Sequence, residues 1–200
     1  MDEPLFKFLL YHIKTASVIL DVGCAGMDEL VELKKIFPTA TYYMFDADPR
    51  WHSNVGKLKG QNAHFYPIAI TSKDGPVNFH QSIDWKLSSS IRQPKEHIKV
   101  HPWIKFSPPI TVPGQSLNTW FKNANLDHID LIWADVQGAE GDLIDGGQEA
   151  LAKTRYFYTE CDDIELYEGQ ANPQQILQRL PNFELIEKYK DNILLENKYL

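Results

Sequence analysis

Val18-Ile19-Leu20-Asp21-Val22-Gly23-Cys24-Ala25-Gly26-Met27, followed at positions 41–50 by TYYMFDADPR, decides the fold of this chain. The apolar run Val18-Ile19-Leu20 suits a strand buried on both faces. Asp21 to Gly26 then make a turn whose glycines let a ligand approach the backbone closely. Positions 27–37 space Leu30, Val31, Leu33 and Ile36 along one helical face. A second strand ends in Asp46, the place from which a carboxylate binds the two hydroxyls of a ribose. Together these parts describe a pocket for an adenosine-containing cofactor.

Charge separates the cofactor classes. A dinucleotide sets a doubly anionic pyrophosphate on the helix N-terminus and uses G-x-G-x-x-G. Here only Gly23 and Gly26 are present, and Asp28 and Glu29 occupy the first turn of the helix. Those carboxylates suit the helix dipole but repel a pyrophosphate. S-adenosylmethionine has no phosphate and carries a sulfonium cation, so an acidic rim favours it. An ordinary βα turn with a plain helix cap and no ligand is the bland alternative.

A second constellation strengthens the cofactor reading. Asp130-Leu131-Ile132-Trp133-Ala134-Asp135 is an apolar strand that ends in a carboxylate and turns through Gln137-Gly138 into a helix at Glu140. In open α/β sheets ligands bind at the carboxyl ends of strands, so Asp135 is expected to face the same crevice as Gly23 and Asp46. Tyr156-Phe157-Tyr158-Thr159 ends likewise in Glu160. Read singly, each of these acids is equally a helix cap or a solvated side chain.

In order, LDVGCAG, MFDADP, NAHFYPIAIT, Leu87-Ser88-Ser89-Ser90, VPGQSLNTW, IDLIWADVQGAEGDLIDGG and YFYTE run through the chain. This series resembles the FkbM family of S-adenosylmethionine-dependent O-methyltransferases from about Val18 to Glu160. The resemblance implies a Rossmann-like class I methyltransferase fold, a doubly wound, mostly parallel seven-stranded α/β sheet closed by an antiparallel hairpin. It also implies cofactor contacts from Asp21, Gly23, Cys24, Gly26, Asp46, Ala47, Asn62, Ala69 and Asp135. Within that set, Asp21, Gly23 and Gly26 would line the methionine end, Asp46 the ribose, and Asn62 and Ala69 the adenine. Asp135 would stand beside the methyl-transfer centre. The chain departs from the family pattern at three places: Met27 where a second glycine is usual, Trp133 where lysine is frequent, and Gln137 where glutamate is frequent. Gln137 is neither a base nor an anionic metal ligand.

Two hundred residues with 43% hydrophobic content are enough for one substantial core, so residues 1–200 are expected to form one methyltransferase domain, complete or cut from a longer chain. A formal charge of −7 argues against a broad nucleic-acid-binding face. Lys86, Arg92, Lys95, Lys99 and Lys105 nevertheless share one segment with Trp85, His97, His101 and Trp103, which reads equally as an acceptor-binding loop or a solvated insertion. Cys24 and Cys161 do not make a disulfide framework, and free thiols suit a reducing compartment. With no apolar run long enough to span a bilayer, the expected location is cytoplasmic.

Strands are expected at about 17–22, 40–45, 63–70, 129–135, 154–160, 183–189 and 192–197, with an edge strand over 77–81. Helices are expected near 4–14, 27–37, 50–58, 116–124, 139–152 and 172–180, and most of 82–113 reads as loop. Residues 183–197 form a hairpin about Lys190-Asp191.

Methyl transfer from a sulfonium requires alignment of acceptor, methyl and sulfur, and removal of a proton from a hydroxyl acceptor. Asp135 is the first candidate for a catalytic base and Glu160 the second. Asp135, Glu160 and Asp162 are candidate oxygen ligands for a divalent cation such as magnesium or manganese. No Asn/Asp-Pro-Pro-aromatic run or Pro-Cys pair is present, which disfavours N-methylation and cytosine C5 chemistry. The family implies a hydroxyl of a sugar or glycan as acceptor, a deoxyhexose such as rhamnose for instance, with glycosyltransferase domains as potential neighbours. RNA ribose, a small natural product, or a non-catalytic cofactor-binding module are the other functions these residues leave open.

Overall fold

The computed structural model describes Leu9 and residues 11–58 and 60–200. Its main sheet has seven strands in the order β3-β2-β1-β7-β8-β10-β9. They are β1 (Val18–Val22), β2 (Thr41–Phe45), β3 (Ala63–Tyr66), β7 (Ile129–Ala134), β8 (Thr154–Glu160), β9 (Phe183–Tyr189) and β10 (Asn192–Asn197). The first five run parallel, and β10 lies antiparallel between β8 and β9. A smaller sheet, β4 (Ala69–Thr71), β6 (Ile110–Ser116) and β5 (Gly75–Phe79), packs beside it.

Alternation along the central strands divides the core in two. Ile19, Leu131, Trp133 and Leu194 share one cluster with Leu30 and Leu33 of α1 (Asp28–Ile36). Leu20, Val22, Ile132 and Phe157 point the other way. There they meet Leu117 and Trp120 of α3 (Leu117–Asn123), Leu143 of α4 (Glu140–Asp145), Leu151 of α5 (Gln148–Leu151) and Ile176 of α6 (Pro173–Arg179). A strand buried on both faces must be apolar throughout, which explains the unbroken Val18–Leu20 and Leu131–Trp133 runs. Local chemistry fixes the helix ends. α1 stops at Ile36, just before Phe37-Pro38. Ser116 caps α3, and Asn172 with Gln175 forms a capping box ahead of Pro173 in α6.

Four expected elements differ in extent. The strand expected over 63–70 ends at Tyr66, because Pro67 has no N–H for the ladder; the chain resumes as β4, paired with β6. The helix expected over 139–152 is two, broken at Gly146-Gly147. A Cβ at Gly146 would lie 2.1 Å from the Thr71 carbonyl oxygen, so the break lets α4 close onto the end of β4. The 50–58 helix is a 3-10 turn over His52–Leu58. The 82–113 segment is more ordered than expected, with a short α2 (His97–Val100) and the start of β6. The leading helix expected over 4–14 falls largely outside the described residues, though Leu9 and Ile13 are buried in the first cluster.

The chain winds outward from β1 to β3 and then crosses back to β7 on the other side of β1. This reversal leaves a crevice between the carboxyl ends of β1 and β7, the usual ligand position in such sheets.

Candidate active site

Gly23 leaves β1 in the left-handed region, φ 90°, and a Cβ there would lie 1.9 Å from the Asp135 carbonyl oxygen. Only glycine lets the β1 and β7 exits come this close. The Gly23 and Cys24 N–H groups donate to the Phe45 carbonyl at 2.9 and 3.0 Å, and the Asp135 N–H donates to the Val22 carbonyl at 2.9 Å. The three strand ends are thereby tied into one rim. Beneath the rim lies a cavity of about 820 Å³, open to solvent. Its polar wall includes Gly23, Glu29, Asp46, Asp135 and one cation, Lys86; its apolar wall includes Ala69, Phe79, Ile91 and Trp51.

Asp46 is a structural carboxylate as well as a rim acid. Its two oxygens accept the Ala25 and Asp48 N–H groups, each at 2.7 Å, so it sets the glycine turn and the chain after β2. Burial nevertheless pushes its pKa up to about 6. Asp21, almost wholly buried, is raised well above the carboxylate range by burial and then by Glu29, Asp46 and Asp135; its Oδ2 has no partner. This crowding of acids around a cavity is costly on its own and is relieved by a cation.

A second cavity, of about 790 Å³, opens on the other side of Asp135. Trp85, His97, His101, Tyr167, Glu160 and Asp162 are among its walls, and it shares Leu87, Asp135 and Gln137 with the first. At this junction the Gln137 amide Nε2 donates to Asp135 Oδ1 at 2.7 Å and to Glu160 Oε2 at 3.0 Å. The Tyr167 hydroxyl donates its one proton to the Ser88 carbonyl at 2.8 Å, with Gln137 Oε1 as a second, longer acceptor at 3.1 Å. Asp135 is open to the cleft yet ringed by protein, and its pKa is raised by burial, partly offset by Gln137. Glu160 is pushed up to about 8, first by burial and then by the charge of Asp135. Both carboxyl groups meet at this one amide, and burial together with their mutual charge disfavours ionising both at once. Glu140, buried behind them, is pushed up to about 7 by burial.

The serine run is the partition between the cavities. Ser90 Oγ donates to the Gln137 carbonyl at 2.7 Å, while Ser89 Oγ accepts from Arg50 at 2.9 Å. Arg50 also forks onto the buried Asp48, with Nε 2.9 Å from each carboxylate oxygen, and Gln81 completes that carboxylate's shell at 2.8 Å. The end of β2 and the partition are thus one hydrogen-bonded unit.

Of the residues expected at the site, Gly23, Asp46, Ala47, Ala69 and Asp135 line the first cavity, and Glu160 and Asp162 the second. Asp21 lies behind the turn. Cys24 is buried in the α1-side core and, with Gly26, shapes the turn without lining the cavity. Asn62 does not join them. It precedes β3 at the opposite end of the strands, where its side chain donates to the Ala40 carbonyl and Thr41 Oγ1, each at 3.1 Å. Among the described residues no group of three or more His, Cys, Asp or Glu side chains is arranged to hold a metal ion. Between Asp135 and Glu160 stands the Gln137 Nε2 donor, which takes up one oxygen of each carboxyl group. The basic patch is largely neutralised, since Arg92 pairs with Asp142, Lys95 with Glu165 and Lys99 with Glu96. Both cysteines are buried free thiols, and burial raises Cys161 to about 12. Sequence reasoning missed Trp51, Phe79 and Tyr167, which come from loops and the small sheet and carry no motif.

Residues 23–190 match the Methyltransferase FkbM domain. The chain belongs to the FkbM methyltransferase family. The 2-O-methyltransferase NoeI of Sinorhizobium fredii (strain NBRC 101917 / NGR234) is 41% identical over 201 residues, covering 94% of this chain and 82% of the relative. The crystal structure of Methyltransferase FkbM from Methylobacillus flagellatus KT superposes with a TM-score of 0.57 at 12% identity, over 91% of this chain and 44% of that one. A Burkholderia thailandensis 1,6-didemethyltoxoflavin-N1-methyltransferase, solved with bound 1,6-didemethyltoxoflavin and S-adenosylhomocysteine, has a TM-score of 0.50 at 10% identity, over 98% of this chain and 77% of that one. At those identities the solved structures bear on the fold alone. Family membership and the 41% identical relative make this FkbM methyltransferase an S-adenosylmethionine-dependent O-methyltransferase.

The three departures from the FkbM pattern have structural counterparts. Met27 keeps the left-handed backbone that glycine would adopt, φ 66°, and buries its side chain in the α1-side core. Trp133 packs on Tyr158 with ring centroids 4.2 Å apart, closing the first cavity from below. Gln137 also takes a left-handed backbone, φ 52°, which aims its amide at both carboxyl groups.

Proposed function

We propose that this enzyme transfers a methyl group from S-adenosylmethionine to a hydroxyl of a sugar in a glycan or glycoside. Donor and acceptor occupy the first and second cavities, within one domain spanning residues 1–200. The observation that carries this reading is the junction, where Asp135 borders both cavities and shares the Gln137 amide with Glu160. The donor supplies a methyl on a positively charged sulfur, for which the ring of Asp21, Glu29, Asp46 and Asp135 is electrostatically matched. Gly23 leaves room for it, Asp46 receives the ribose hydroxyls with its remaining lone pairs, and Ala69, Phe79 and Ile91 form an apolar wall for the adenine. Asp135 takes the proton of the acceptor hydroxyl, and Glu160, protonated at neutral pH, steadies the charge left on Asp135 before the transfer.

Acids also choose the acceptor. Asp135, Glu140, Glu160 and Asp162 border the second cavity, which repels a phosphodiester chain and suits a neutral polyol. This disfavours RNA ribose as the substrate. The exposed ring of Trp85 offers an apolar face for a sugar ring. The 2-O-methyltransferase relative is in keeping with a ring hydroxyl, and a deoxyhexose such as rhamnose is the first acceptor to try. Incubation of a panel of neutral glycosides with isotopically labelled donor is expected to add one labelled methyl on oxygen, read by mass spectrometry. Labelling of RNA and of no glycoside would contradict the proposal.

A further inference from the structure

We propose that Gln137 is a positioning residue: its amide, oriented by Tyr167, clamps Asp135 and Glu160 into one carboxyl pair at the junction of the two cavities. This rests on the proton-acceptor role proposed above for Asp135 and explains how that role is met with an amide where a third acid is frequent. The geometry is specific. One NH₂ group reaches both carboxyl groups, at 2.7 and 3.0 Å, and an amide is the side chain that offers two donors there and an acceptor behind. The amide's orientation follows from both of its ends: Nε2 faces two carboxyl acceptors, and Oε1 faces the Tyr167 hydroxyl at 3.1 Å, whose proton it shares with the Ser88 carbonyl. Burial raises Tyr167, which keeps that hydroxyl protonated and donating.

Tyr167 is itself locked in place. Its hydroxyl also reaches the Ser88 carbonyl, and its side chain lies so close to Gly138 that a Cβ there would be 2.8 Å from the Tyr167 Cβ and 2.9 Å from its ring. The Gln137 carbonyl is fixed by Ser90. The backbone accepts a left-handed residue at 137 to achieve this, at a cost of roughly 1–2 kcal/mol. A strained residue held by three neighbours is over-determined, as expected of a site that must be preorganised.

The surrounding charges make the clamp consequential. Glu140 and Asp191 press on Glu160, and Tyr158 and Tyr167 feel Asp135. Across the crevice, Asp135 interacts with Asp21, Glu29 and Asp46. Against this repulsion, Gln137 favours ionised Asp135 through both its side-chain amide and its backbone N–H.

The test compares Gln137→Leu, Gln137→Glu and Tyr167→Phe with wild type. Gln137→Leu is expected to move the acidic limb of the kcat/KM profile up by about one pH unit, and kcat at neutral pH to fall about 10- to 100-fold. Donor affinity should stay within about threefold. Gln137→Glu should move the limb further and recover rate at alkaline pH, and Tyr167→Phe should shift it in the same direction by less. Independently of any acceptor, the difference in melting temperature between wild type and Gln137→Leu should widen from pH 5 to pH 8, because the variant's folded state holds the proton more tightly. A pH profile that superposes on wild type, or a melting difference that is the same at both pH values, would overturn the proposal and leave Gln137 a packing residue. If no glycoside is methylated, the melting series still decides the clamp, and only the acceptor reading fails.

Discussion

Gly23 and Asp135 approach so closely across the β1–β7 exit that a Cβ on residue 23 would overlap the Asp135 carbonyl oxygen, at 1.9 Å. The cavity therefore exists only while residue 23 has no side chain. Gly23→Ala meets both this clash, which is with backbone, and a left-handed φ of 90°. A loss of about 3 kcal/mol or more in unfolding free energy is expected, together with loss of donor binding. Urea denaturation and calorimetry with S-adenosylhomocysteine check it; wild-type affinity in the variant would show that the strands part at no cost.

Met27 poses the opposite question, because here a side chain tolerates the left-handed backbone. Met27→Gly would relieve roughly 1–2 kcal/mol of backbone strain. It would also remove a side chain that is only 2% exposed, at a cost of about 2–5 kcal/mol. Burial wins by magnitude. The variant is expected to be less stable by about 1–3 kcal/mol in chemical denaturation, and a more stable variant would mean that the strain dominates.

The raised carboxyl groups predict how stability follows pH. Below pH 4.5 Glu160 is protonated whether folded or unfolded and contributes nothing. Between 4.5 and about 8 the unfolded chain has lost this proton while the folded protein keeps it, so stability falls as pH rises and levels off above 8. Glu140 and Asp46 act with the same sign up to about pH 7 and 6. Glu160→Gln should therefore melt with a shallower decline between pH 5 and 8. An unchanged slope would show that Glu160 is ionised in the native protein.

Asp46 has two tasks, and substitution separates them. Asp46→Asn retains one acceptor for the Ala25 and Asp48 amides but turns an NH₂ toward the other. S-adenosylhomocysteine affinity is expected to fall about 10- to 100-fold, with a stability loss of about 1–3 kcal/mol. Calorimetry beside denaturant melts reads both, and an affinity equal to wild type would remove Asp46 from the ribose.

Much of this was legible in the sequence because the signals were local. Apolar runs that end in an acid located β1, β2, β7 and β8, with a glycine turn after β1 and β7, and strand order then put their carboxyl ends on one rim. Asn62 misled because a residue's place beside a strand does not say which end of the sheet it occupies; its side chain is spent on the Ala40 carbonyl and Thr41. Long-range pairings were hidden. Tyr167 reaches Gln137 and Ser88 from a loop with no periodicity, and Arg50 reaches Ser89 across the partition. Gln137 was visible as a departure from a pattern, but its two-carboxyl grip needed β7 and β8 to be side by side.

The account turns on Asp135 as the acceptor of the hydroxyl proton. Asp135→Asn preserves size and removes the base, so the decisive measurement is single-turnover methyl transfer to a neutral glycoside, followed by mass spectrometry, with donor affinity measured on the same sample. The account predicts a rate at least about 100-fold lower with donor affinity changed by less than about tenfold. Transfer at the wild-type rate by Asp135→Asn would contradict it.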